Sequence, residues 1–401
     1  MNILLIEPEY RGHYVALHLN LLISEFDKRG WIINILTYKD SINSDAYKLI
    51  NKKVLKKINF FYLKKVNFSK KRNKFYLLYT QIVKYFNIIR SIKKITLQNN
   101  INHIYFVTAD HIDKILSIFG KFSIKVNFSV MQIYSKIYLN KNISFFKKIT
   151  LNIKKLLLFN TINFFFLKNF FIVDFFLYKF IKNNKKKNLS KVFYIPDPGE
   201  LKYVFSKIYA QNYLKLYKNN FYILVYGAIK MSKGIKELLN SIKNLKNNSI
   251  KIIIAGEQTD EVKCFLKRND NKELIAQGII IIFEGFKNYK EEAILFFASD
   301  VVWVSYNDNF TGSSAVLYQA GAAQKPVIVN KSGLLGYMNK KYKIGVGVNI
   351  NNLNDIINRI KFLYNNKNVR YQLGMNNYIL SKKHSGINFA KIIADKIYDA
   401  K

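Results

Sequence analysis

Short apolar runs that end in glycine, separated by longer amphipathic stretches, constrain this chain more than any other feature. Phe221–Tyr226 stops at Gly227, Ser249–Ala255 at Gly256 and Ile279–Glu284 at Gly285. Runs of this length without polar alternation fit strands buried on both faces, which is how parallel sheets read. Helical spacing follows at Ile235–Leu245 and Glu291–Ala298, then a strand at Val301–Ser305, a helix at Ser314–Ala323 and a strand at Pro326–Asn330. The beginning of the chain has the same rhythm. A strand at Asn2–Glu7 and a turn at Gly12-His13 lead into a helix over His13–Arg29, with Leu17, Leu21, Leu22 and Phe26 on one face. Gly30 stops that helix, and Trp31–Thr37 reads as the next strand. Such alternation predicts an α/β chain built on doubly wound, mostly parallel sheets.

At 401 residues the chain exceeds what one core organises, so two domains are expected. A basic run at Lys182–Lys187, then Ile195-Pro-Asp-Pro198 with two of the four prolines, is the clearest break in composition. The expected division is 1–190 and 191–380, with 381–401 holding a closing helix (Ile387–Tyr398) able to return to the first domain. In the first half, strands are expected at His103–Thr108 and Ile124–Met131, and one or two helices within Lys52–Lys94. Residues 140–182 are long enough to be helical throughout and admit two readings. In one, Phe164, Phe165, Phe166, Phe170, Phe171, Phe175 and Phe176 form the aromatic face of an interfacial helix, with lysines on lipid phosphates. In the other, Phe170–Val173 is a core strand with a helix on each side.

Lys and Arg number 65 against 25 Asp and Glu, a net charge of +40. The surplus is spread along the chain, and the abundance of Lys, Asn, Ile, Phe and Tyr, all with A/T-rich codons, accounts for part of it. The resulting field still favours anionic surfaces. Zinc-ligand spacing, an RNA-recognition signature and a helix-turn-helix are all missing from the sequence, so nucleic acid is not an expected partner. The single cysteine, Cys264, allows no internal disulfide and is expected to pack as a small hydrophobe. The first residues show neither a basic leader nor a cleavage site, and the most apolar stretch, Leu156–Ile181, is interrupted by Asn160, Asn163, Lys168, Asn169, Asp174 and Lys179. The expectation is a cytoplasmic protein in peripheral contact with the inner face of an anionic membrane.

Two constellations carry chemistry. Gly227-Ala-Ile-Lys-Met-Ser-Lys-Gly234 joins a strand end to a helix start through a loop with Lys230 and Lys233. Backbone N–H groups at a helix start beside lysine ammonium groups make a site for a diphosphate; the bland alternative is an ordinary basic loop. Thr311-Gly312-Ser313-Ser314 opens the following helix, with Gln319 one to two turns along it. Small residues let a ligand approach the backbone, and Ser313 or Ser314 can cap the helix, donate to a phosphate or sugar oxygen, or do both.

In order and spacing these residues resemble the retaining, metal-independent glycosyltransferases of the GT-B fold, specifically their fourth family. Gly227 with Lys233-Gly234, Ala255-Gly256, Glu284-Gly285-Phe286 with Ala298-Ser-Asp300, and Gln319-Ala320 through Lys325-Pro326-Val327-Ile328 carry the resemblance over about residues 192–380. Gly333, Gly345 and Ile195-Pro-Asp-Pro198 fit it as well, and the first half resembles the family only through its opening strand, turn and helix. The resemblance implies two Rossmann-like domains facing across a cleft, with Gly12 and His13 lining it. It also implies transfer of a hexosyl unit from a nucleotide-sugar to a glycan, lipid-linked or surface-polysaccharide acceptor. Configuration would be retained, no metal or other cofactor would take part, and Lys233 would stabilise the leaving diphosphate.

Departures from the family are specific. Its paired glutamates, eight positions apart, fall on Thr311 and Gln319, and its diphosphate arginine falls on Ala228, with Lys230 near enough to substitute. The histidine that the family's first domain turns to the donor sugar has no counterpart in Val130–Tyr134. His111, in the loop after the preceding strand, is the candidate for that catalytic contact or else a solvated loop residue; His18, His103 and His384 read as structural. The missing carboxylates also motivate an alternative, a catalytically inactive GT-B subunit that binds sugar or nucleotide for a partner.

Overall fold

The computed structural model describes residues 1–8, 18–48, 50–64, 74–108, 126–132, 145–183, 189–307 and 312–400. The chain forms two compact units, one made of Met1–Pro196 with Gly386–Lys401 and the other of Asp197–Ser385.

Among the described residues the first unit holds seven strands: β1 (Asn2–Ile6), β2 (Ile32–Tyr38), β3 (Asn59–Leu63), β4 (His103–Phe106), β5 (Phe128–Gln132), β6 (Leu167–Ile172) and β7 (Val192–Tyr194). They pair in the order β3-β2-β1-β4-β5-β6-β7, parallel at every junction. Both faces are buried, as the unbroken apolar runs require. Leu4, Ile6, Ile104 and Phe106 join one core, while Ile3, Leu5, Tyr105 and Val107 join the other.

The 140–182 stretch resolves in favour of the core-strand reading: helix Phe145–Ile162, strand β6, helix Phe175–Lys182. Phe170, Phe171 and Ile172 are buried, and Asp174 caps the second helix by accepting from the N–H groups of Phe176 and Leu177. The expectation for 52–94 missed β3. That strand pairs only with β2 at the sheet edge, and four of its five residues are exposed or half-buried, so its sequence carries no clean face. A 25-residue helix, Lys74–Gln98, follows. The closing helix, Gly386–Tyr398, sends Phe389, Ile393 and Ile397 into the core with Leu5 and Phe26. Arg29 Nη2 donates to Asp395 Oδ1 at 2.7 Å, and Asn169 Nδ2 to the Lys396 carbonyl at 3.1 Å.

In the second unit β8 (Phe221–Tyr226), β9 (Ile250–Gly256), β10 (Ile280–Glu284), β11 (Val301–Val304), β12 (Val327–Asn330) and β13 (Gly345–Val348) form a parallel sheet in the order β10-β9-β8-β11-β12-β13. Asp300, just before β11, ties it to β8: its Oδ2 accepts from Tyr222 N at 3.0 Å and its Oδ1 pairs with Lys207 Nζ at 2.5 Å. Cys264 does not pack as expected. Val262, Phe265 and Leu266 take the inward face of the short helix Asp260–Leu266, which turns Cys264 outward into solvent.

Candidate donor site of the second unit

Strand order alone locates a site. In an open parallel sheet, ligands bind beyond the carboxyl ends of the strands where the winding reverses. In the second unit that point lies between β8 and β11, whose connections leave to opposite sides. Gly227 follows β8 directly, and residues 305–307 follow β11, with 312–314 opening the next helix, so the described residues of both chemical constellations lie at this edge.

The first is tightly built. Gly227 takes φ +96°, and its N–H donates to the Ala255 carbonyl at 3.0 Å. Gly256 lies so close that a Cβ there, at φ +132°, would sit 1.9 Å from the Gly227 oxygen, so no side chain fits. After Ile229 the chain makes one 3-10 turn, Met231–Lys233, and enters the helix Ile235–Leu245 through Gly234 at φ +65°. Trp303 Nε1 donates to the Lys233 carbonyl at 2.7 Å and Asn307 N to the Ser232 carbonyl at 2.9 Å, fixing the loop to β11. The Lys233 side chain is half-buried, and its Nζ donates to the Tyr226 carbonyl. Burial, helped by the like charge of Lys230, lowers the ammonium pKa to about 8. Lys230 itself is exposed.

Across the switch point, Asn330 clamps the end of β11. Its Oδ1 accepts from Tyr306 N at 2.7 Å and Ser305 Oγ at 3.1 Å, and its Nδ2 donates to the Tyr306 carbonyl at 2.6 Å. Tyr306 Oη and Ser314 Oγ are 2.9 Å apart, and burial raises the phenol pKa. Ser314 is therefore not the side-chain cap the sequence suggested. It occupies the N-cap position of the helix Ala315–Ala322, but its hydroxyl is engaged by Tyr306 and makes no cap hydrogen bond. The helix opening at Ile235 also lacks a side-chain cap. Neither helix start thus has a side-chain cap, and Lys233 Nζ lies 5.9 Å from the ring centroid of Tyr306, whose hydroxyl meets Ser314, an arrangement suited to phosphate oxygens. Gly312 is buried and Ser313 half-buried beside them; Thr311 lies outside the described residues.

Gln319 is buried on the Ala315–Ala322 helix, and its partner was not anticipated. Its Nε2 donates to Glu292 Oε1 at 2.6 Å. Glu292 also accepts the Tyr226 hydroxyl and feels the charge of Lys202, yet burial outweighs these and pushes its carboxyl up to about 7. The sequence did carry a signal. In Tyr289–Ala298 the neighbour Glu291 completes a capping box with Asn288, so a second acid at 292, on an otherwise apolar face, had no local task.

Gly12, His13 and His111 lie outside the described residues. The other histidines have structural partners. His103 Nε2 lies 2.8 Å from Ser129 Oγ, with its pKa driven to about 3 by burial. His18 packs against Phe389 with ring centroids 4.8 Å apart. His384 stacks on Tyr318 at 3.7 Å, and its Nδ1 is 3.0 Å from the Asp197 carbonyl. Among the described residues, no group of three or more His, Cys, Asp or Glu is placed to hold a metal ion.

Comparison with known proteins matches residues 210–379 to the family described as Glycosyl transferases group 1. An uncharacterized glycosyltransferase of Methanocaldococcus jannaschii is 30% identical over 166 residues, 41% of this chain and 44% of that relative, so the match spans less than half of its length. Among solved structures, sucrose-phosphate synthase of Thermosynechococcus elongatus matches over the whole of both chains with a TM-score of 0.74 at 14% identity. Anabaena HepE, in complex with UDP and glucose, does so at 0.70 and 13%. At these identities the likeness establishes the fold, two Rossmann-like domains of the GT-B kind.

Proposed function

We propose that this chain, whose residues 210–379 match the group 1 glycosyl transferases, moves a hexosyl unit from a nucleotide-sugar to a glycan, lipid-linked or surface-polysaccharide acceptor. The observation that carries this reading is Lys233 at the switch point, two residues before a helix that lacks a side-chain cap and 5.9 Å from the ring centroid of Tyr306, whose hydroxyl meets Ser314 at the start of a second uncapped helix. In this reading the leaving diphosphate gathers charge there as the sugar departs, and a preorganised ammonium and backbone N–H groups stabilise it without a metal. Lys230, Gly227, Gly312, Ser313 and Ser314 complete the phosphate side, and Gln319 takes the nucleoside side. Thr311, Gly12 and His13 are assigned to the donor sugar and acceptor, and His111 to a catalytic contact, with retention of configuration. That HepE is solved with UDP and glucose supports a nucleotide-sugar in such a fold.

A thermal-shift panel of nucleoside diphosphates and nucleotide sugars tests the donor site. A ligand of the native state raises the melting temperature by mass action. One base should stand out, and Lys233→Ala should abolish its shift, a loss of about 100-fold in affinity for a buried charge-assisted contact. Uniform silence across the panel would remove the donor site. Binding without turnover on any acceptor would favour the inactive partner subunit.

The membrane assignment belongs to the first unit. No described helix is long and apolar enough to cross a membrane. Ile149, Ile153 and Leu156 form an exposed stripe on the helix Phe145–Ile162, with Lys148, Lys154 and Lys155 around it, and the exposed Phe165 lies beside Lys168. These features support peripheral docking on an anionic surface facing the cytoplasm. The protein should pellet with anionic vesicles and be released by salt; equal recovery on neutral vesicles would refute the electrostatic part.

A further inference from the structure

Glu292 is a carboxylate where the fold asks for an apolar side chain. It is 9% exposed, and Ala293, Leu295 and Phe296 of the same helix are buried with it. Taking a carboxylate out of water is costly, and one kept in a core needs partners that use it. Helix capping is not the use, because Glu291 already fills the capping box with Asn288. Both hydrogen-bonding partners of Glu292 come from elements that bound the switch point. Tyr226 is the last residue of β8, immediately before Gly227, and Gln319 is on the helix that follows β11.

The contact with Gln319 has a chemical consequence. A glutamine amide offers a donor at one end and an acceptor at the other, and without a neighbour to choose, either can face a ligand. Above its pKa of about 7, Glu292 Oε1, 2.6 Å from Gln319 Nε2, makes the choice, because the ionised carboxylate only accepts and the amide nitrogen alone can donate to it. Gln319 Oε1 is left as the acceptor, and the charge behind the amide polarises it further. A neutral side chain thereby acquires the acceptor character of a carboxylate, with the negative charge held one residue deeper.

We propose that Glu292 is a positioning residue for donor recognition: it fixes Gln319 with the amide nitrogen inward, so that Gln319 Oε1 receives a ribose hydroxyl of the nucleotide. This rests on the donor-site reading above, and it explains how the site works with glutamine at 319.

The test compares the nucleoside diphosphate that wild type binds best with its 2′-deoxy and 3′-deoxy forms, titrated into the full-length protein at pH 8, where Glu292 is ionised. Wild type should bind one deoxy form about fivefold to tenfold more weakly, the loss of one hydrogen bond to a polarised acceptor. Glu292→Leu should erase that preference, and Gln319→Leu in the wild-type background should erase it equally. The exchange Glu292→Leu with Gln319→Glu, which moves the carboxylate to the ligand side, should restore it. If Glu292→Leu folds poorly, Glu292→Gln, which keeps the volume but can donate as well as accept, should lose the preference in the same way, and a preference that it retains would overturn the inference. A ribose preference that survives Glu292→Leu, or one that the exchange fails to restore, would overturn the inference while leaving the Lys233-dependent site standing. Absence of any Lys233-dependent nucleotide binding would overturn both.

Discussion

Lys233 and Glu292 are charged side chains of opposite sign drawn into the carboxyl edge of the second sheet, and both lean on Tyr226. The ammonium donates to its carbonyl, and the carboxylate accepts its hydroxyl. Burial moves both towards neutrality, the lysine down to about 8 and the acid up to about 7. They differ in what holds them. A backbone carbonyl is supplied by any residue at 226, so Lys233 needs only the right loop, and that loop is written in consecutive residues. Glu292 needs the particular side chains of Tyr226 and Gln319, 66 and 27 positions away in the chain. A site of the first kind is legible as a motif. A site of the second kind exists only once the chain has folded.

The largest effect that would break this comparison is on stability. The Glu292 carboxyl titrates near 4.5 when free and near 7 in the fold, so between those values the folded state binds more protons than the unfolded one. Stability therefore falls as pH rises through that window, by up to about 3 kcal/mol from this one group. Glu292→Gln removes the titration. Its stability relative to wild type, from urea denaturation, should improve by a few kcal/mol between pH 5 and pH 8. Parallel pH profiles for the two proteins would mean that Glu292 ionises freely and is not held as described.

The same contrast governs what the sequence disclosed. Strands β8, β9, β11 and β12 were legible because each is a mostly β-branched or aromatic run buried on both faces and closed by glycine or a turn, and β10, half-exposed at the sheet edge, because its isoleucine-rich run ends at Gly285. Gly256 is fixed by contact: its missing side chain makes room for the Gly227 carbonyl. The first unit was less legible. β3 is an edge strand with mixed exposure, and β7 has only three residues, too short for a periodic signal. The aromatic stretch around Phe170 resembled an interfacial helix because a fully buried strand and a broad apolar helix share a composition. Ser314 occupied the expected cap position, yet its hydroxyl went to Tyr306, a partner that only the end of β11 brings near.

A smaller effect sharpens the comparison at the lysine. With its pKa near 8, Lys233 is protonated in only about half of the free molecules at pH 8. An arriving diphosphate favours the ammonium and raises that pKa. Binding of a nucleotide sugar, whose diphosphate carries no group titrating near neutrality, should then take up about half a proton at pH 8 and much less at pH 7. Affinity should weaken as the pH rises above 8, because each binding event must first find a proton. Calorimetry in two buffers of different ionisation enthalpy reads the uptake directly. Lys233→Arg, whose guanidinium stays charged throughout this range, should bind with no uptake at either pH. Equal uptake by the arginine variant would assign the proton to another group and would remove the burial argument for Lys233, leaving Glu292 as the only titrating member of the pair.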